Sequence, residues 1–262
     1  MRVVALHQDV VVAISRIYQT TATLVRHGEA GEAFLVDSPI LPDELELLPA
    51  VAQQAGFGVA GVLATHRDWD HLLGRLAFDV PLGVAESTGA ALQADLGAVQ
   101  RELRAFDEEH YVSRPAPLGL GAWQALPVPG RLDGGGAELE LHDVRGHTDD
   151  GMAVVVPWAR VLLAGDHLSP VEIPALGSFP GALGFYLETL DRLEAVLDGV
   201  DWVVPGHGEP LDGERSLAIL RDDRAYLQAL RERGADAPLP LARRSGAQRR
   251  IHADNVARAG MG

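Results

Sequence analysis

The segment Thr65–His71, reading THRDWDH, places His66, Asp68, Asp70 and His71 within six residues. Imidazole nitrogens and carboxylate oxygens are common donors to zinc, iron and manganese. His66 and Asp68 are two apart and face the same side of an extended chain. Asp70 and His71 stand where a helix, HLLGRLA, should begin, and a helix N-terminus favours a carboxylate. At this chain's own frequencies of His and Asp, HxDxDH arises by chance about a few times per thousand such chains. Three further segments also put a polar side chain straight after an apolar strand: RGHT (Arg145–Thr148), LLAGD (Leu162–Asp166) and VVPGHG (Val203–Gly208). Their glycines permit sharp turns and close approach. The chemistry these residue types allow is metal-assisted.

Composition removes the main rivals. All 22 basic residues are arginine, so there is no lysine for a Schiff base or a phosphate loop. Cysteine is absent as well, which excludes thiolate catalysis, disulfides, iron–sulfur clusters and Cys-rich zinc sites. The net charge is −15 and unevenly spread: residues 1–233 hold 35 acids and 17 arginines, the last 29 residues 2 acids and 5 arginines. An acidic body repels polyanions, so no nucleic-acid partner is expected. The tail arginines (Arg243, Arg244, Arg249, Arg250, Arg258) read as a solvated terminus docked on that body, with an anion clamp as the alternative.

The N-terminal apolar run is split by His7, Gln8 and Asp9 and reads as strand rather than signal peptide. No stretch approaches the ~18 apolar residues of a membrane span. The expectation is a soluble cytoplasmic protein with a small-molecule substrate and no membrane partner; a homodimer is compatible with it.

The elements that must position the ligands follow from periodicity. Strands are predicted near 2–6, 10–18, 21–26, 32–37, 59–65, 124–129, 137–145, 151–157, 160–165 and 202–205. Arg131–Gly136 reads as a turn. Helices are predicted at 43–56, broken or restarted at Pro49, at 86–110, at 184–198 and at 213–233, with a short helical tail. Two β-rich halves, each finishing in helices, suggest two packed sheets with helices outside.

In this order, HxDxDH, GHT, the strand-end aspartate and PGHG resemble the metallo-β-lactamase fold superfamily of metal-dependent hydrolases. The match runs over about residues 30 to 210 and includes VDSP (Val36–Pro39). The resemblance implies an α/β fold, the αββα four-layer sandwich, over residues 1–212, with a helical C-terminal extension, 213–262, packed on it. It implies a two-metal site: His66, Asp68 and His147 on the first ion, Asp70, His71 and His207 on the second, and Asp166 bridging both. Zinc is the leading ion, with iron or manganese as alternatives.

Two departures from the family pattern matter. The commoner motif is HxHxDH, and Asp68 stands where its second histidine lies. Two divalent ions, three aspartates and one hydroxide then form a neutral cluster, with less pull on anionic substrates and a more basic hydroxide. After GHT, Asp149 and Asp150 replace an uncharged residue. They read as solvated turn residues, with contact to a ligand as the alternative.

The resemblance implies hydrolysis of a small ester, thioester or lactone by metal-activated water, with Asp70 or Asp166 orienting that water and accepting its proton. His167 and Tyr186 are candidates for protonating the leaving group, although His167 also reads as support for a ligand and Tyr186 as helix packing. The segment after residue 212 is similar to extensions that cap the site in glyoxalase II-like members, where Tyr226 and the tail arginines would meet substrate or pack at the surface. Two rival readings remain at this point: a diiron oxidoreductase without its own flavin domain, and a non-catalytic ligand-sensing module.

Overall fold

A computed structural model describes residues 1–28, 31–134 and 136–260. The apolar and alternating runs of the first half form a seven-stranded sheet: β1 (Arg2–His7), β2 (Val10–Ile14), β3 (Thr21–Arg26), β4 (Glu32–Asp37), β5 (Gly58–Leu63), β6 (Leu82–Ala85) and β7 (Trp123–Leu126), in sequence order. Neighbours are antiparallel from β1 to β4 and parallel from β4 to β7. The connections carry α1 (Pro42–Gln54), the single turn α2 (Trp69–Leu72) and α3 (Glu86–His110). A six-stranded sheet follows, again in sequence order: β8 (Gly130–Asp133), β9 (Glu138–Asp143), β10 (Met152–Val156), β11 (Val161–Leu163), β12 (Trp202–Val204) and β13 (Leu211–Asp212). Its one parallel pair, β11 and β12, is joined through α4 (Ala182–Leu197). Helices α5 (Gly213–Arg233) and α6 (Gly246–Ala259) complete the chain.

The hydrophobic pattern sorts these elements into four layers. Val10, Val12, Val36 and Leu63 of the first sheet meet Leu139, Met152, Val154 and Leu163 of the second in a dry inner core. The first sheet's other face buries Leu24, Leu35 and Val62 under Leu45, Leu48, Leu92 and Leu103 of α1 and α3. The second sheet's other face buries Ala153, Leu162 and Val203 under α4 and α5, through Leu190, Leu193, Leu220 and Leu227. Each such leucine contributes about 2–3 kcal/mol by leaving water. Among the described residues no helix is long and apolar enough to cross a membrane.

The layering is the αββα sandwich, and three local expectations are corrected. Pro49 does not break α1, which runs through it. Pro49 lies on the exposed face, while Leu45, Leu48 and Ala52 hold the helix to the sheet. The front of the Arg131–Gly136 turn is strand: Gly130–Asp133 pairs with β9, Leu132 opposite Leu139, and Gly135 lies outside the described residues. The strand expected over 10–18 ends at Ile14, because Tyr18 and Gln19 adopt left-handed backbone (φ 55° and 53°) in the turn to β3.

Strand ends of both sheets meet along one edge of the sandwich. β4 and β5 of one sheet, and β9, β11 and β12 of the other, all finish on the same rim, and hydrogen bonds join the rim across the sandwich. Met152 N donates to Thr65 O at 2.7 Å, and Thr21 N to Gly206 O at 2.8 Å. Pro49→Ala restores a main-chain donor inside α1 without touching the rim. It should raise stability in urea unfolding by about 1–3 kcal/mol; a loss of stability would refute this account of how the helix tolerates the proline.

Candidate metal centre

Each polar side chain singled out around the rim leaves its strand within a few residues. His66 follows β5, and Asp70 and His71 lie on α2. His147 sits in the β9–β10 loop, Asp166 follows β11, and His207 follows β12. All seven side chains converge. His147 Nε2 lies 3.2 Å from Asp68 Oδ2, and His66 Nε2 3.6 Å from the same oxygen. On the other side, His207 Nε2 is 3.5 Å and His71 Nε2 3.8 Å from Asp70 Oδ2. Asp166 stands between the groups: its carboxylate lies 3.2 Å from His147, 3.2 Å from His207, 3.1 Å from His71 and 3.9 Å from His66.

The four histidines present Nε2 inward with Nδ1 turned outward, hydrogen-bonded in His66, His147 and His207 and beside a carboxylate without an aligned hydrogen bond in His71. His71 Nδ1 lies 3.0 Å from Asp37 Oδ2, and His147 Nδ1 3.1 Å from the Ala175 carbonyl. His207 Nδ1 is 3.0 Å from the Tyr18 carbonyl and 3.3 Å from Thr20 Oγ1; His66 Nδ1 is 3.0 Å from Thr65 Oγ1. A carbonyl or carboxylate at Nδ1 selects the tautomer whose Nε2 lone pair points into the site. Asp37, the aspartate of VDSP, also accepts from Thr65 N at 2.8 Å and from Thr65 Oγ1 at 2.9 Å. One carboxylate thus ties two strand ends to a histidine.

The electrostatics describe a cluster short of positive charge. Burial pulls imidazoles toward the neutral form. In His147 that pull is overcome by Asp166 and Asp68, which raise it to about 9. In His207 it is overcome by Asp166, Glu172 and Asp70, which raise it to about 10, and His71 is raised well above its ordinary value by Asp166, Asp37 and Asp70. Burial would lift Asp68 and Asp166, yet the surrounding histidines hold both well below the carboxylate range. His66 Nε2, His71 Nε2 and Asp166 Oδ1 are buried without a well-aligned hydrogen-bond partner among the described residues. Three histidine–aspartate groupings, His66/Asp68/His147, Asp70/His71/His207 and His66/His71/Asp166, bring their ligand atoms within 4.8 Å of one another. Inward-facing, unpartnered nitrogens around carboxylates fit divalent cations that take nitrogen and oxygen donors.

The family model of the metallo-beta-lactamase superfamily matches residues 16–207, which spans every side chain of this cluster. The chain belongs to the metallo-beta-lactamase superfamily. A hydroxyacylglutathione hydrolase of Ruegeria pomeroyi is 26% identical over 218 residues, 83% of this chain and 74% of that protein. Among solved structures, a metallo-beta-lactamase family protein of Thermus thermophilus superposes with a TM-score of 0.69 at 21% identity, covering 98% of this chain and 95% of its own. A beta-lactamase domain protein of Burkholderia ambifaria gives 0.64 at 21% identity, covering 98% and 86%. These likenesses establish the fold.

Within this member of the superfamily the remaining candidates take distinct places. His167 is buried, its ring 4.7 Å from that of Tyr186, and burial together with the charge of His147 pushes it down to about 3. The Tyr186 hydroxyl, also buried, donates to the Asp166 main-chain carbonyl at 3.2 Å. Asp149 and Asp150 are not simply solvated: both pair with Arg67, and Asp150 is 2% exposed. Tyr226 is buried rather than at the surface, bonded to His252 and Asn255. Glu172, which the sequence reading did not single out, lines a small cavity with His147, Asp166 and His207, and burial raises its carboxyl. Its only sequence signal was being an acid six residues after Asp166.

A β-carbon at Gly206 would overlap Asp166 Oδ1 and come within 3.0 Å of His71 Cε1. Gly206→Ala should therefore lower metal affinity at least about tenfold with the fold retained, read by chelator competition and circular dichroism; unchanged affinity would show that Asp166 is free to move. The charge balance generates a second expectation. Raised histidine pKa values stabilise the folded state fully below about pH 6.5, and that stability is lost as pH climbs through about 9 to 10. Metal-free protein should lose roughly 5 °C or more of melting temperature between pH 7 and pH 10. Adding divalent cation should remove most of that slope, and an equal slope with and without cation would contradict the charge account.

Proposed function

We propose that this protein is a dinuclear metallo-hydrolase acting on a small ester, thioester or lactone, with a thioester the leading class. The observation that carries the reading is Asp166, whose single carboxylate lies within 3.2 Å of histidines in both ligand groups. His66, Asp68 and His147 would hold one cation, Asp70, His71 and His207 the other, with Asp166 between them. Zinc is the first choice, and the two-histidine, one-carboxylate first group also suits iron or manganese. Bound there, such ions supply water of lowered pKa and a Lewis acid for a carbonyl oxygen.

The chain's own residues do the rest. Asp70 and Asp166 orient the attacking water by accepting its hydrogen bonds, and they are the carboxylates placed to take its proton. Tyr186 fixes the Asp166 backbone, and His167 packs behind Tyr186 as a neutral wedge. A groove of about 520 Å³ opens beside Asp68 and His147, walled by Val99, Glu102 and Arg258. Its size suits a small acyl substrate. Arg67 in that groove is paired with Asp149 and Asp150, whereas Arg258 in its wall bonds the Leu176 carbonyl and has no carboxylate partner among the described ion pairs. The hydroxyacylglutathione hydrolase relative supports thioester hydrolysis as the reaction to test first.

The test is turnover of a panel of thioesters, esters and lactones by metal-free protein, then by protein loaded with zinc or manganese. Activity should need the metal and fall on the order of 10³-fold or more in His66→Ala and Asp166→Asn. Full metal loading with no hydrolysis of any member, or activity that survives His66→Ala, would overturn the assignment. Iron as the resident metal, with a near-ultraviolet charge-transfer band and no hydrolysis, would replace it with redox chemistry.

A further inference from the structure

Residues 169–176 form an irregular loop between Asp166 and α4, and it touches both ligand groups. The Ala175 carbonyl sits on His147 Nδ1 at 3.1 Å, and Ser169 Oγ donates to the His207 carbonyl at 2.8 Å. One residue further on, Gly177 N donates to Gly146 O at 2.8 Å, beside His147. A loop of this kind cannot satisfy its main chain through a helix or sheet ladder, so its polar groups need partners from elsewhere.

Ser169 Oγ accepts from Val171 N and Glu172 N within the loop; six further bonds come from the last 20 residues. Arg243 donates to the Ser169 carbonyl at 3.1 Å and to the Glu172 carbonyl at 2.8 Å, held by Asp223 Oδ1 at 2.5 Å. Gln248 Oε1 accepts from Ile173 N at 2.7 Å. Asn255 uses both ends of its amide, donating to the Pro174 carbonyl at 2.6 Å and accepting from Leu176 N at 2.8 Å. Arg258 donates to the Leu176 carbonyl. Arg243, Gln248 and Asn255 are each at most 4% exposed. Tail side chains that served only to dock a terminus would scatter their bonds over the body. Here six bonds from four side chains end on the main chain of one short stretch, the stretch that orients His147. None of the four lies within residues 16–207, where the family model matches.

We propose that Arg243, Gln248 and Asn255 are positioning residues for the metal centre: they lock residues 169–176 so that the Ala175 carbonyl holds His147 in its ligating orientation. The inference rests on the metal centre proposed above. It adds that the C-terminal segment, which contributes no ligand, sets metal affinity through main-chain hydrogen bonds. Partners in the shell outside the ligands are worth about 10- to 100-fold in metal affinity.

The experiment measures zinc affinity of the full chain by competition with a chromophoric chelator, alongside thermal melting. Gln248→Met and Asn255→Leu should weaken zinc binding about tenfold or more, while Gln248→Glu, which keeps the acceptor for Ile173 N, should stay close to the parent. Leu227→Ala, a cavity in the same helical core with no hydrogen bond to the loop, should lower the melting temperature and leave affinity unchanged. If Asn255→Leu does not fold, the two Gln248 variants carry the comparison. Unchanged affinity in Gln248→Met overturns the positioning role, and so does an equal fall in Leu227→Ala, which would make the effect one of stability. A parent chain that binds no zinc, manganese or iron overturns the metal centre itself and this inference with it; a parent that binds metal with variants indistinguishable from it overturns only the inference.

Discussion

The Asp166 carboxylate is almost enclosed by four imidazoles and two further carboxylates. Removing a charge from water costs several kcal/mol unless opposite charge and hydrogen bonds answer it. Here three aspartates crowd a space a few ångströms across, so the site is stable only when positive charge fills it. Protons on the histidines can supply that charge at neutral pH, which is why His71, His147 and His207 are driven toward the charged form. Divalent cations supply it with greater charge density and release those protons on binding. The architecture reads as a device for holding that concentration of negative charge in place.

Holding it requires both sheets. Asp37 and His66 leave one, Asp166 and His207 the other, and the hydrogen bonds Met152 N to Thr65 O and Thr21 N to Gly206 O join the two rims. The inner core of valines and leucines keeps the sheets packed face to face, so that strand ends far apart in sequence meet at one point. Close approach at the rim tolerates no side chain at two glycines. Gly206 lies against Asp166, and Gly146, in left-handed backbone at φ 117°, lies against the Tyr186 main chain. Around this rigid frame one irregular loop, 169–176, is fixed by hydrogen bonds from the C-terminal segment rather than by a ladder.

Much of this was legible in the sequence because ligand chemistry and strand periodicity are local signals. HxDxDH, GHT, the Asp166 segment and PGHG each announced a polar residue after an apolar run, and their order pointed to the fold. What stayed hidden depends on contacts between distant segments. The roles of the Tyr18 and Ala175 carbonyls are invisible because any residue has a carbonyl. Asp150 reads as a turn residue in the sequence, and its partner Arg67 lies more than 80 positions away. β6, β8 and β13 are not predicted because segments of two to four residues carry too little periodicity. Pro49 misled for the opposite reason: a strong local rule was overridden by tertiary packing of the helix that contains it.

The chemistry likewise follows from position more than from residue type. Histidines elsewhere in the chain serve ordinary contacts: His27 stacks on Phe34 with ring centroids 4.3 Å apart, and His252 bonds Tyr226. Only those with Nδ1 pinned and Nε2 facing shared carboxylates form the cluster. The most direct test of this account is an anomalous-difference map from crystals of the full chain grown with zinc. It should show two peaks flanking Asp166, one contacted by His66, Asp68 and His147 and the other by Asp70, His71 and His207. A map with no peak beside Asp166, or with Asp166 turned away from any bound ion, would contradict it.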